Sequence, residues 1–125
     1  MTEIKKTILL VDDEPDLLES LAIRMKASGY NVLMAIDGLD ALKKARTLNP
    51  DMIILDLMLP KMDGYKVCRI LKFDTRYKGI PVIMFTARVQ DSDKKIGEEV
   101  GSDAYITKPF DPDVLLNKIR ELLKR

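Results

Sequence analysis

Short unbroken apolar runs alternate along the chain with longer stretches in which apolar residues recur every three or four positions. Thr7-Ile8-Leu9-Leu10-Val11, Asn31 to Ala35, Met52-Ile53-Ile54-Leu55, Pro81-Val82-Ile83-Met84-Phe85 and Ala104-Tyr105-Ile106-Thr107 have the length and composition of strands. The third run is apolar at every position and reads as a strand buried on both faces, the kind found inside parallel sheets. The second is shorter of apolar residues and belongs at an edge. Between the runs, Leu17, Leu18, Leu21, Ala22 and Met25 mark a helix that opens at Pro15 and stops at Gly29. Asp37 caps a second helix with Ala41, Leu42, Ala45 and Leu48 inward, closed by Asn49-Pro50. A third, from about Gly64 to Phe73, buries Val67, Cys68 and Leu71. Asp91 to Val100 is polar, holds Gly97 inside it and offers only Ile96 and Val100 for packing, which predicts a weak, mobile helix. Asp111 caps the last helix, with Pro112 in its first turn and Val114, Leu115, Ile119, Leu122 and Leu123 inward. Five strands alternating with five helices predict a three-layer, doubly wound (βα)5 domain of α/β class. Right-handed crossovers favour a parallel five-stranded sheet in the order 2-1-3-4-5.

That order gathers the strand ends. The apolar blocks close on Asp12 and Asp13, on Asp56, on Thr86 and on Lys108. An ionised Asp does not belong inside a buried strand, so Asp56 must sit where the third strand leaves the sheet, the end at which open α/β sheets bind ligands. Each of these residues taken singly has an ordinary structural role as a cap, a strand terminus or a solvated charge. Their coincidence at one point favours a functional cluster.

Composition narrows the chemistry. With 125 residues the chain makes one compact domain, structured from about residue 6 to 124, and 46% hydrophobic residues supply its core. Lys and Arg number 21 against 20 Asp and Glu, which predicts no direct binding to nucleic acid and none to an anionic membrane. One Cys and no His exclude a disulfide framework, a Cys/His zinc site and a Ser-His or Cys-His pair. The N-terminus lacks a signal-peptide core and no run approaches a membrane span, so a cytoplasmic protein is expected.

Several stretches together resemble the receiver domains of bacterial two-component response regulators. Ile8 to Glu14 is similar to their opening segment, and Asp56-Leu57-Met58-Leu59-Pro60-Lys61-Met62-Asp63-Gly64 to the segment around their phosphorylated aspartate. Phe85-Thr86-Ala87 resembles their hydroxyl-bearing strand end, and Tyr105-Ile106-Thr107-Lys108-Pro109-Phe110 their lysine segment. The resemblance implies a flavodoxin-like fold and phosphorylation of Asp56. It implies Mg²⁺, with Mn²⁺ as a substitute, held directly by Asp13, Asp56 and the Met58 carbonyl, and by Asp12 through water. It further implies that Thr86 and Lys108 hold the phosphoryl oxygens and that Met58, Ala87 and Arg88 flank the pocket. The bond before Pro109 would be cis, with Thr86 and Tyr105 as switch residues. The expected phosphodonor is a sensor histidine kinase or a histidine phosphotransfer protein. The expected output passes through the fourth helix, fifth strand and fifth helix to an effector the sequence does not name, from a monomer or a phosphorylation-dependent dimer. Gly97, Ser102 and Ala104 depart from the usual pattern on that output face.

The chemistry also follows from the residues. Like charges about 4 Å apart repel by roughly 4 kcal/mol at an effective dielectric of about 20, so clustered carboxylates must hold a proton or bind a cation. All-oxygen ligands suit Mg²⁺, which keeps waters and takes up a phosphoryl oxygen readily. Such a domain would phosphorylate itself from a donor and release phosphate slowly, rather than turn over as a conventional enzyme. Three other classes compete. A flavodoxin-like electron carrier needs a phosphate-cradling loop where Asp12-Asp13-Glu14 would repel phosphate. A haloacid-dehalogenase-like phosphatase wants a second Asp where Met58 stands. An adaptor signalling by binding alone, without phosphate, has no need of all five chemical groups.

Overall fold

A computed structural model describes residues 5–57, 59–86, 101–108 and 111–124. Its elements are β1 (Thr7–Val11), α1 (Pro15–Ala27), β2 (Asn31–Ala35), α2 (Gly38–Leu48), β3 (Met52–Asp56), α3 (Gly64–Lys72), β4 (Val82–Thr86), β5 (Ala104–Thr107) and α4 (Pro112–Leu123). The helix expected over 91–100 lies outside the described residues. The strands form one parallel sheet in the order β2-β1-β3-β4-β5, as the alternation of runs predicts, with β2 at an edge.

Strand alternation divides the core into two layers. Leu9, Val11, Ile53, Leu55, Val82 and Met84 pack against Ala41, Leu42 and Ala45 of α2 and Val67, Cys68 and Leu71 of α3. Their neighbours Ile8, Leu10, Met52, Ile54, Ile83 and Phe85 pack against Leu18, Leu21 and Met25 of α1 and Leu115, Ile119 and Leu122 of α4. All five residues of β3 are buried, so the central strand has helices on both sides. Burial pushes the Cys68 thiol up to about 12, which removes it from nucleophilic chemistry.

Asp37 and Asp111 cap their helices as expected, and Asp63 adds a third cap. Asp37 accepts from the Asp40 amide, Asp63 from Lys66 and Asp111 from Asp113, and Pro15 and Pro112 open α1 and α4. Two inward assignments are corrected. Leu48 is 51% exposed because it is the last residue of α2, where the chain turns through left-handed Asn49 toward β3. Val114 is 54% exposed because the buried stripe of α4 runs through Leu115, Ile119 and Leu122, a rotation of about 100° away from it.

At the amino ends of the strands, two carboxylates stand in for missing ladder partners. Asp51 accepts from the Thr7 amide at 2.7 Å. Asp103 accepts from the Val82 amide at 2.8 Å and pairs with Lys72 at 2.7 Å, while Lys72 also donates to the Ile80 carbonyl at 2.7 Å. This lock ties α3, β4 and the approach to β5 into one unit. Asp103→Ala should lower the unfolding free energy by about 2 kcal/mol, since it strands the Val82 amide and a largely buried ammonium. Urea denaturation followed by circular dichroism reads this directly, and an unchanged midpoint would show that the lock carries no weight.

Candidate functional site

Alternation continued to the carboxyl ends of the strands builds the site. Ile8 and Leu10 of β1, Ile54 of β3 and Ile106 of β5 face α1 and α4. Two positions further along, the same phase places Asp12, Asp56 and Lys108 on that side, beyond the last apolar layer. The structure brings them into contact. Lys108 Nζ donates to Asp12 Oδ2 at 2.7 Å and to Asp56 Oδ2 at 3.3 Å, and Glu14 Oε1 stands 3.9 Å away. The ring of Phe85, paired with Asp56 across the sheet, lies 4.7 Å from the same ammonium and forms the floor. Asp12 is wholly buried, and its other oxygen accepts from the Glu14 amide at 2.8 Å, which fixes the turn into α1.

Asp13 completes the cluster at its exposed rim. One carboxylate oxygen from each of Asp12, Asp13 and Asp56 lies within 4.8 Å of the others. Burial alone would push the Lys108 ammonium down; its hydrogen bond to Asp12 and the charges of Asp56 and Asp12 outweigh that and raise its pKa above the ordinary lysine value. Lys108 is therefore a fixed positive charge set among three acidic side chains, a formal deficit of two. A divalent hard cation with oxygen ligands fits that deficit and that donor set.

The turn after Asp56 is held from two sides by glycines, a feature the sequence reading missed. A β-carbon on Gly64 would lie 2.2 Å from the Asp56 carbonyl oxygen, and one on Gly38 would lie 2.1 Å from the Met62 carbonyl oxygen. Gly64 donates its amide to the Leu57 carbonyl at 3.0 Å, and Lys61, at φ 67°, reaches back to Asp37 at 3.5 Å. The signal was present in the two helix-opening glycines after capping Asp37 and Asp63. Helix-capping logic accounts for the aspartates but not for why no side chain follows them.

Of the other residues singled out in the sequence, Thr86 ends β4 and pairs with Thr107 in the ladder. Tyr105 pairs with Met84 and packs, half-buried, on the α2 and α3 side of the sheet, the face opposite the carboxylates. Met58, Ala87, Arg88 and Pro109 lie outside the described residues.

Comparison with known proteins agrees with this geometry. The family model described as response regulator receiver domain matches residues 8–120. The chain is 46% identical over 118 residues to the DNA-binding dual master transcriptional regulator RpaA of Synechocystis sp., covering 94% of this chain and 49% of that one. It is 42% identical over 125 residues to the DNA-binding response regulator MtrA of Mycolicibacterium smegmatis, covering 100% of this chain and 54% of that one. Among solved structures, the chemotaxis response regulator CheY4 of Vibrio cholerae superposes with a TM-score of 0.89 at 30% identity, covering 95% of this chain and 99% of that one. The chain spans about half the length of the curated relatives it matches. These relatives overturn the expectation that nucleic acid is not a partner, because RpaA and MtrA are both DNA-binding regulators. The charge balance of this stretch says nothing of the partners of proteins about twice its length.

Gly64→Ala tests the clamp on the turn after Asp56. The added methyl must displace backbone rather than a flexible side chain, so a loss of about 2 kcal/mol or more in unfolding free energy is expected. Thermal and urea denaturation check it, and a variant as stable as the parent would show that the turn is free to move.

Proposed function

The chain belongs to the response regulator receiver domain family, and from that premise we propose that Asp56 accepts a phosphoryl group and relays the change in charge to an output. The observation that carries the reading is the Lys108 ammonium, hydrogen-bonded at once to Asp12 and Asp56 at the mouth of the sheet. Asp56 is the one carboxylate of the three that ends the central strand. An oxygen of Asp56 attacks phosphorus in line, one P–O bond forms, and the bond from phosphorus to the donor's leaving atom breaks. No proton has to leave the nucleophile, because it attacks as the ionised carboxylate. Lys108 stands where it can leave Asp12 and donate to a phosphoryl oxygen, and the Thr86 hydroxyl is assigned a second donor role.

Mg²⁺, or Mn²⁺ in its place, would be held by Asp12, Asp13 and Asp56 with the Met58 carbonyl, and when bound it supplies the positive charge that balances the transferred group. The product is an acyl phosphate that water removes slowly, so each chain consumes its donor once per cycle rather than turning over as a conventional enzyme. With no His in the chain, the donor is a phosphohistidine on a sensor kinase or a phosphotransfer protein, or a small phosphodonor. That assignment makes the site of action the cytoplasm. The added charge draws on Thr86, and Tyr105 repacks beside β4, altering the surface of the fourth helix predicted over 91–100, β5 and α4. By likeness to RpaA and MtrA, the output is control of DNA binding in a longer protein.

Acetyl phosphate with Mg²⁺ should label the parent chain with one phosphoryl group per molecule. Labelling should vanish in Asp56→Asn and in EDTA, and should fall at least about tenfold in Asp13→Asn, which removes a ligand and one negative charge. Undiminished labelling of Asp56→Asn would defeat the assignment.

A further inference from the structure

A net charge of +1 conceals how the charge is distributed. Residues 38–49 and 64–80, which hold α2, α3 and the turn beyond α3, carry eight of the 21 Lys and Arg but two of the 20 Asp and Glu, so the rest of the chain is acidic. These two helices pack side by side on one face of the sheet. Each presents an outward stripe at helical spacing: Leu39, Lys43 and Arg46 on α2, and Lys66 and Arg69 on α3 with Phe73 at its end, all exposed.

The acids of this face are already occupied. Asp40 pairs with Lys44 at 3.1 Å and Asp74 with Arg76 at 2.9 Å. Among the described residues, Lys43, Arg46, Lys66 and Arg69 have no ion-pair partner within 4.0 Å. The Asp74 carboxyl is held below its usual range first by hydrogen bonds from Arg76 and more weakly by the charge of Arg46 on the neighbouring helix, against which α3 packs. At the near ends, Gly38 of α2 lies against Met62. Leu39 at 50% exposure and Phe73 at 73% therefore stand at opposite corners of a field of four cations that lack an ion-pair partner within 4.0 Å among the described residues. Like charges three residues apart on a helix oppose its formation, so the pattern is not one that stability alone would select.

We propose that the α2 and α3 face is a docking surface for an acidic protein segment. Its apolar side chains seat on Leu39 and Phe73, and its carboxylates meet Lys43, Arg46, Lys66 and Arg69. Arg and aromatic residues are the usual anchors of protein interfaces, and surrounding charge sets encounter rate and specificity. A phosphate backbone would answer the cations but has no use for the two apolar corners. A bilayer would call for those apolar groups side by side rather than apart.

The test uses the full chain and three labelled probes: a short Glu/Leu peptide of helical pattern, a random-sequence DNA duplex, and phosphatidylserine vesicles. The peptide should bind, and rising salt should weaken it. The double variant Lys43→Glu/Arg69→Glu and the single variant Phe73→Ser should each weaken it about tenfold or more. Arg120→Glu, a charge reversal on exposed α4, should leave binding unchanged. Unaltered labelling by acetyl phosphate and an unaltered melting temperature would show that the variants are folded. Failure of the peptide to bind, equal weakening by Arg120→Glu, indifference to Phe73→Ser, or tighter binding of the duplex or the vesicles would overturn the proposal.

Discussion

Three carboxylates and one ammonium crowded at the end of a hydrophobic sheet are the constraint to which the surrounding structure answers. Asp12 and Asp56 are almost wholly buried, and Asp13 sits at the rim beside them. Each close pair of like charges at this separation opposes folding by an amount of order 4 kcal/mol at an effective dielectric near 20, a large fraction of the roughly 5 to 15 kcal/mol that stabilises a domain. Lys108 relieves part of that repulsion by bonding to two of the three. What remains is a standing demand for positive charge. A divalent cation held by Asp12, Asp13 and Asp56 would meet it and would supply the charge needed beside a phosphoryl group.

The rest of the fold keeps those charges from escaping one another. Both faces of β3 are sealed by helices, so the Asp56 backbone cannot retreat from its position. Gly38 and Gly64 let α2 and α3 press directly on the turn that follows it. At the opposite end of the strands, Asp51 and Asp103 cap β1 and β4, so the strand register that aligns Asp12 with Asp56 is fixed from below as well. The relation between stability and chemistry is direct: apolar burial, at about 25 cal/mol for each Å² removed from water, offsets the electrostatic strain held at the site.

Much of this was legible in the residues. The strands and their order followed from the apolar runs, because a parallel sheet covered on both faces needs runs without alternation. Asp56, Asp12 and Lys108 could be placed because a charge at the end of such a run has one way out. Leu48 and Val114 were misplaced because periodicity assigns a face without saying where a helix outruns its cover or which residue leads the buried stripe. The glycine clamp was missed because steric exclusion leaves no mark except the absence of a side chain. The uneven charge of α2 and α3 was hidden by a sum over the whole chain, and the partners of relatives about twice its length do not follow from that sum.

Phosphoryl transfer to Asp56 is read most directly by reducing the acetyl-phosphate-treated chain with borohydride and mapping the product by mass spectrometry. An acyl phosphate is reduced to an alcohol, which converts the acceptor aspartate into homoserine. Conversion at Asp56 alone, dependent on Mg²⁺, is the expected result. Conversion at Asp12 or Asp13, or none anywhere, would contradict the assignment of the central strand's carboxylate as the acceptor.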